Sequence, residues 1–240
     1  MSLLKIPLLL VSAIGIHVSV TSPSRPPSSE EKVVPSLLES FIRRMLGFHC
    51  LEFMKISAWA ASSAEVANIL VVYIGPSQIP ESIYGARVVQ ILRALRPTAV
   101  SPAFLAGSLA VAIGGALRLY CMSTLGRFWS FQLSVRNEHR LVTSGPYSVV
   151  RHPSYTGFLL QCVGIIFMYG SQGSWMRQSG ILQVPFVQVL VAINFLLVVT
   201  GVWVSISRPA EEDKMLQRAL GKEWENWAER VEYRLLPGVY

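Results

Sequence analysis

Charged residues are scarce in this sequence of 240 residues. Only 15% of the residues are charged, whereas 52% are hydrophobic, and the mean hydropathy is +0.45. An average soluble domain has about 25% charged residues. The composition therefore excludes an ordinary soluble globule and favours an integral membrane protein.

Cysteines are also few, and their placement excludes a disulfide framework. Cys50, Cys121 and Cys162 lie in or beside apolar stretches, and no Cys-x-x-Cys pair occurs. The four histidines are scattered, and there is no glycine-rich phosphate loop. The sequence therefore predicts packed free thiols and no metal site.

The net charge of +7 would suit nucleic acid in a soluble protein. Here the basic residues lie mostly between apolar stretches, a pattern typical of membrane topology and contact with lipid headgroups. We therefore expect membrane lipid as a partner, and no nucleic acid.

The apolar stretches predict an all-α, multi-pass integral membrane protein with about five transmembrane helices. These stretches are residues 1–20, 48–74, 99–125, 155–169 and 181–206. Residues 75–97 are expected to form a loop or a partly interfacial segment. Pro209 and the acidic run that follows it predict the start of a cytosolic, amphipathic C-terminal helix.

Two packing features can be predicted inside these stretches. Ala106, Ala110 and Gly114 have the spacing of a close helix–helix contact. Asn194 is strongly polar in the middle of the last stretch, which predicts an interhelical hydrogen bond.

Basic residues are concentrated in the segments after the first, third and fifth stretches. The positive-inside rule places these segments in the cytosol. The first stretch fits either a signal peptide or a retained span. Cleavage would move the basic segments to the lumen, so the charge bias favours a retained span.

A polar motif, "HRLVTSGPYSVVRHPSYTG", occupies residues 139–157 between two apolar stretches. Its prolines fix the backbone, and Gly145 and Gly157 allow close approach, which predicts a rigid pocket wall. Arg208 ends the last span, a position suited to holding an anion whose tail lies in lipid. Glu212 follows one helical turn later, so it shares a face with Arg208.

The motif, a helical hairpin and the final "RPAEEDKML...LGKEWENWAERVEYRLLPGV" together resemble the isoprenylcysteine carboxyl methyltransferase family. The resemblance begins near Gln132 and divides the chain into two regions. Residues 1–130 are N-terminal transmembrane helices and a linker, and residues 131–240 are the catalytic methyltransferase region.

The resemblance implies an endoplasmic reticulum membrane enzyme whose active site faces the cytosol. The cofactor would be S-adenosyl-L-methionine, and the acceptor would be a prenylated C-terminal cysteine of a protein, a step of CaaX processing. Arg208 would hold the acceptor carboxylate as the catalytic and substrate-binding residue. The residues implied in cofactor binding are Gln132, His139, Arg140, Leu141, Val142, Tyr147, Arg151, His152, Pro153, Ser154 and Glu212.

Other functions remain open at this point. A phospholipid amine N-methyltransferase of the same superfamily would use Arg208 to bind phosphate. A sterol reductase branch is typically longer, and a transporter is disfavoured because no pair of broken helices is evident. A non-catalytic membrane scaffold would predict no affinity for the cofactor.

Overall fold

The computed structural model describes residues 2–28, 31, 36–47, 49–74, 83–136 and 139–239. Within these residues the fold is all-α, with no β-strand, as the sequence predicts. The helices are α1 (Lys5–Ser19), α2 (Leu37–Gly47), α3 (Cys50–Ile74), α4 (Ile83–Ala94), α5 (Pro102–Leu125), α6 (Pro153–Gly170), α7 (Trp175–Gln178), α8 (Pro185–Leu220) and α9 (Lys222–Arg230).

Three of the described helices are long and apolar enough to cross a membrane, which supports a multi-pass membrane protein. They are α3, α5 with its short extension to Phe128, and α8. The apolar helix α1 is shorter, at 15 residues, and α6 has 18 residues. All five predicted stretches are therefore helical, while their number as membrane spans stays a prediction.

Helix α5 lies at the centre and packs against α6 and α1, while α6 also packs on α8 and α1 on α3. The α5–α6 contact is close because glycines face each other. A β-carbon on Gly107 would lie 2.7 Å from the carbonyl oxygen of Gly164, and one on Gly157 would lie 2.8 Å from that of Gly114. The predicted Ala106–Ala110–Gly114 stripe is thus wrong in register: Gly114 lies in the contact, but Ala106 is exposed and Gly107 takes its place.

The last apolar helix does not end where the sequence predicts. Helix α8 continues through Pro209 to Leu220, and the amphipathic α9 follows after Gly221. At 1.5 Å per residue, the 36 residues of α8 extend about 54 Å, which is longer than a hydrocarbon core of about 30 Å. The helix therefore carries Arg208 and Glu212 on a rigid extension instead of on a separate element.

Helix α4 covers much of the segment expected to be a loop or partly interfacial, of which residues 75–82 lie outside the described residues. The backbone carbonyls of Leu92 in α4 and of Leu95, just after the end of α4, accept hydrogen bonds from Asn68 on α3. These bonds tie α4 to the bundle.

Polar groups of the apolar helices pair with one another. Lys5 forms a buried ion pair with Glu65, and the more exposed Glu52 pairs with Lys55 one turn away. The Ser57 hydroxyl donates a 2.7 Å hydrogen bond to Oδ1 of Asn194, which confirms the interhelical bond predicted for Asn194. The three cysteines are free thiols, as predicted.

Candidate functional site

A cavity opens at the end of the bundle where α1 and α5 end and where α3 and α6 begin. All of the predicted site residues except Pro153 line this cavity. These are Gln132, His139, Arg140, Leu141, Val142, Tyr147, Arg151, His152, Ser154, Arg208 and Glu212. Pro153 is buried in the first turn of α6, where its fixed φ suits a helix start.

The motif forms a rigid wall through a short 3₁₀ turn, Gly145–Ser148. Gly145 has φ +59°, and a β-carbon there would lie 2.8 Å from Oη of Tyr120, so only glycine fits without strain. Tyr147 in this turn is buried, and burial raises the pKa of its hydroxyl well above the ordinary tyrosine value. Tyr147 therefore stays protonated and serves as a neutral wall of the cavity.

Asp213 links the Arg151–His152 pair of the motif to the C-terminal part of the chain. Oδ1 of Asp213 lies 2.8 Å from Nε2 of His152, and Oδ2 accepts a 2.8 Å hydrogen bond from Nε of Arg234. The guanidinium of Arg151 lies 3.4 Å from the same Oδ2. One buried carboxylate therefore links three basic side chains.

Backbone hydrogen bonds reinforce this connection. The amides of Arg151 and His152 donate to the carbonyls of Tyr233 and Arg234, at 2.9 Å and 2.8 Å. The indole of Trp227 on α9 donates to the carbonyl of Tyr147 at 3.3 Å. The segment after α8 thus folds back and fixes the motif from outside.

Glu212 and Arg208 face the cavity from α8, one helical turn apart. Glu212 is the more accessible, with 28% of its side chain exposed, and its Oε2 accepts a 2.8 Å hydrogen bond from the hydroxyl of Tyr155. That bond fixes the carboxylate while leaving part of it exposed in the cavity.

Arg208 holds a carboxylate of the protein itself. Its Nε and NH2 each donate a 3.0 Å hydrogen bond to Glu39 of α2, and its NH2 also donates to the carbonyl of Phe131 at 2.7 Å. The amide of Leu133 donates a further 3.1 Å bond to Glu39. Both side chains are buried, with 6% of Arg208 and 3% of Glu39 exposed.

Arg118 of α5 also lines the cavity and is buried. It donates to the carbonyl and hydroxyl of Ser154, both at 3.1 Å, and to the carbonyl of Ser19 at 2.8 Å. Its guanidinium lies 4.9 Å from the ring centroid of Phe158 and 5.3 Å from that of Trp129. Arg118 therefore adds positive charge to the cavity wall.

Several cavity-lining residues have a buried polar atom with no hydrogen-bond partner among the described residues. Two of these atoms belong to the predicted cofactor set, namely Oε1 of Gln132 and Nδ1 of His139. Burial lowers the pKa of the His139 ring, the nearby Glu212 carboxylate opposes this shift, and the charge of Arg136 adds to it. The His139 ring is therefore neutral at pH 7 and has hydrogen-bonding capacity for a ligand.

The sequence did not reveal Glu39, Arg118 or Asp213 as parts of the site. Asp213 adjoins Glu212 in the acidic run, so its position in the sequence could have indicated that it belongs to the site. Arg118 was a charge inside an apolar stretch, which usually faces protein. Nothing in the linker pointed to Glu39, because its partner lies 169 residues away.

A known family matches part of the chain that contributes to this site. Residues 107–177 match the model of the isoprenylcysteine carboxyl methyltransferase (ICMT) family. Protein-S-isoprenylcysteine O-methyltransferase B of Arabidopsis thaliana is 31% identical over 123 residues, 50% of this chain and 53% of that protein. A probable protein-S-isoprenylcysteine O-methyltransferase of Oryza sativa subsp. indica is 30% identical, over 52% of this chain and 56% of that protein.

A shorter match has a different name. The cobalt-zinc-cadmium resistance protein CzcN of Cupriavidus metallidurans is 47% identical over 45 residues, 18% of this chain and 21% of that protein. In the parts of the chain that the structure describes, no three histidine, cysteine or acidic side chains come together to hold a metal.

The chain spans about half the length of the methyltransferases of Arabidopsis and rice that it matches. The family match begins within α5 and ends in α7, so it contains the whole polar motif. Residues 107–177 carry the pattern of the isoprenylcysteine carboxyl methyltransferase family, and the resemblance predicted from the sequence is thereby confirmed.

Proposed function

We propose that this protein transfers a methyl group from S-adenosyl-L-methionine to the C-terminal carboxylate of a prenylated cysteine in a protein, giving a methyl ester. One observation carries the proposal. A single cavity joins the polar motif to Arg208, and Arg208 binds a carboxylate through two parallel hydrogen bonds. An arginine typically binds a carboxylate through two parallel hydrogen bonds of this kind, and the proposed acceptor is a carboxylate.

The cavity wall fits the proposed cofactor. The unpartnered Gln132 oxygen and His139 nitrogen are available to bind a polar ligand, and Glu212 offers a negative charge. When bound, S-adenosyl-L-methionine would supply a methyl group activated by a positively charged sulfur. The motif residues between His139 and Ser154, together with Gln132 and Glu212, would hold it.

The other residues of the site orient the acceptor and exclude water. A carboxylate is ionised at pH 7, so no general base is required to activate it. Arg208 would fix its direction, and the buried surroundings would remove the water that weakens it as a nucleophile. Asp213 acts at a distance, because it holds the Arg151–His152 step in place.

The cavity also has an apolar wall suited to a prenyl chain. Ile42, Leu51, Phe158 and Val204 line it from α2, α3, α6 and α8. The outer faces of α3 and α8 carry exposed apolar side chains, as expected for helices in lipid. The tail of the acceptor would therefore reach the cavity from the membrane, while its carboxylate meets Arg208.

We place the protein in the endoplasmic reticulum membrane with this cavity facing the cytosol. The placement follows the family resemblance and the concentration of basic residues at this end of the helices. It suits the reaction, because the cofactor is soluble and polar whereas the prenyl chain is dissolved in lipid. The acceptor would be a product of CaaX processing.

The testing experiment measures methyl transfer from labelled S-adenosyl-L-methionine in membranes that contain this chain. The acceptor is N-acetyl-S-farnesylcysteine, and the expected product is a base-labile methyl ester. Label in phospholipid instead would identify an amine methyltransferase. Correctly inserted protein that neither binds the cofactor nor transfers label would overturn the proposal in favour of a scaffold.

A further inference from the structure

Glu39 occupies a complete carboxylate-binding site. One of its oxygens accepts from Nε of Arg208 at 3.0 Å, and the other accepts from NH2 of Arg208 at 3.0 Å and from the amide of Leu133 at 3.1 Å. Three directed donors around a buried carboxylate form the same arrangement that an external carboxylate would need.

The local sequence offers the Glu39 carboxylate an alternative hydrogen-bond partner. Helix α2 begins after Ser36, whose hydroxyl accepts a 3.2 Å hydrogen bond from the amide of Glu39. A glutamate at this position of a Ser-x-x-Glu start normally turns back to the amide of the capping serine. Here its side chain reaches Arg208 on α8 instead. Closing the capping box at Ser36 offers a local alternative for a released carboxylate.

A second carboxylate cannot use this site while Glu39 is in it. Glu39 occupies the Nε–NH2 edge of the Arg208 guanidinium, and NH2 also binds the carbonyl of Phe131. Another carboxylate beside Glu39 would be repelled. Departure of Glu39 with no anion to replace it is also unfavourable, because it would leave the buried Arg208 without its counter-charge. An exchange of one carboxylate for another avoids that penalty.

From these contacts we infer that Glu39 is an internal stand-in for the acceptor carboxylate, which gives up Arg208 when an acceptor enters and returns to displace the ester product. This inference rests on the proposed function. Arg208 and the Leu133 amide form the acceptor-carboxylate subsite, and the site is open to either the acid or the ester only when Glu39 has left it. Glu39 is thus an internal competitor that acts through Arg208 and weakens the binding of both ligands.

The same exchange has a consequence for the product. Esterification removes the negative charge, so the product keeps no ionic bond to Arg208. Glu39 then competes for the guanidinium without an opposing carboxylate and displaces the ester. Ile42, one turn further along α2, lines the cavity, so the return of Glu39 also restores an apolar wall at the acceptor site.

The test compares Glu39→Gln with wild-type protein in detergent, by equilibrium binding of N-acetyl-S-farnesylcysteine and of its methyl ester. Removal of an internal competitor raises the fraction of binding-competent protein, so both dissociation constants should fall by about tenfold. The inhibition constant of the ester as a product inhibitor should fall by the same factor. Glu229→Gln, on the exposed side of α9, is the matched charge control and should change neither constant.

A second variant covers the case in which Glu39→Gln does not fold. Glu39→Asp keeps the buried charge but shortens the side chain by one methylene, which weakens the hold on Arg208. Both dissociation constants should then fall by about threefold. Retained binding of S-adenosyl-L-methionine reports that each variant is folded.

The direction of the change decides between this role and a structural one. If Glu39 merely orients Arg208, both variants will bind the acid more weakly, and the inference is overturned while wild-type ester formation upholds the proposed function. Unchanged constants in both variants overturn it equally. Absence of ester formation by wild-type protein that binds the cofactor overturns the proposed function, and this inference with it.

Discussion

Nε2 of His152 lies 2.8 Å from Oδ1 of Asp213, and this contact joins the polar motif to the rigid extension of α8. Because Asp213 also binds Arg234, the carboxylate ties together the start of α6, the end of the membrane helix and the C-terminal segment. The shape of the cavity therefore depends on one buried acid outside the predicted cofactor set.

Asp213→Asn should destabilise the protein strongly. The change leaves Arg151 and the partly exposed Arg234 without their counter-charge. Breaking a buried ion pair typically costs about 3–5 kcal/mol. We expect a lower thermal unfolding midpoint and weaker binding of S-adenosyl-L-methionine. Glu211→Gln, two residues earlier and paired with exposed Lys214, is the control and should match wild-type. Equal unfolding midpoints in both variants would contradict the linking role of Asp213.

Arg208→Lys should impair methyl transfer while cofactor binding is retained. Lysine keeps the charge but cannot make two parallel hydrogen bonds to one carboxylate. The loss of one charge-assisted bond, about 1.5–3 kcal/mol, corresponds to a decrease in kcat/KM of about tenfold to a hundredfold. Arg218→Lys, exposed on the same helix, serves as the control. Wild-type kcat/KM in Arg208→Lys would exclude a bidentate role in acceptor binding.

Glu212→Gln should weaken cofactor binding. The amide still accepts the Tyr155 hydrogen bond but offers no negative charge to the positively charged cofactor. We expect the dissociation constant for S-adenosyl-L-methionine to rise by about tenfold, equivalent to about 1.4 kcal/mol. Tyr155→Phe removes the hydrogen bond and keeps the charge, so it should raise the constant less. An unaltered constant in Glu212→Gln would remove this residue from the cofactor site.

Gly157→Ala should disturb the packing of α6 on α5. Its β-carbon would lie 2.8 Å from the carbonyl oxygen of Gly114 and 3.0 Å from Cγ of Arg118, so the helices must separate. Overpacking of this kind typically costs about 1–3 kcal/mol. Gly170→Ala, at the end of the same helix, meets its nearest neighbour only at 3.8 Å and is the control. Thermal unfolding in detergent measures both, and a wild-type midpoint for Gly157→Ala would rule out this close contact.

His139 should make the protein sensitive to acid. Burial, aided by Arg136, lowers the pKa of the folded protein's imidazole below the ordinary histidine value. As pH falls through that ordinary value, the unfolded chain takes up a proton before the folded protein does. The free energy of unfolding therefore decreases until pH reaches the lower folded pKa.

The measurement is the decrease in the thermal unfolding midpoint when the pH is lowered from about 7.5 to about 5.5. These values lie on either side of the ordinary histidine pKa. His139→Gln should show a smaller loss than wild-type, because its side chain binds no proton. Identical losses in wild-type and His139→Gln would show that the ring titrates normally.

The sequence by itself determined which stretches are helical and which residues form the polar motif. Long apolar runs have few ways to satisfy their backbone hydrogen bonds in a membrane, so all five predicted stretches are helices. Asn194 was equally predictable, because a polar amide in an apolar helix requires a partner. The spacing of the motif placed almost all of its predicted residues on one cavity.

Only the tertiary structure decided how distant residues meet. The helical periodicity left the contact face of α5 uncertain by one residue, and Gly107 faces α6 where Ala106 was predicted. Pro209 predicted a helix start, but α8 continues through it, because packing can outweigh the loss of one backbone bond. Glu39 meets Arg208 because α2 folds over the end of the bundle, and no local pattern encodes a contact across 169 residues. The residue types thus followed from composition and spacing, whereas the pairing of buried charges followed from the way the helices close around them.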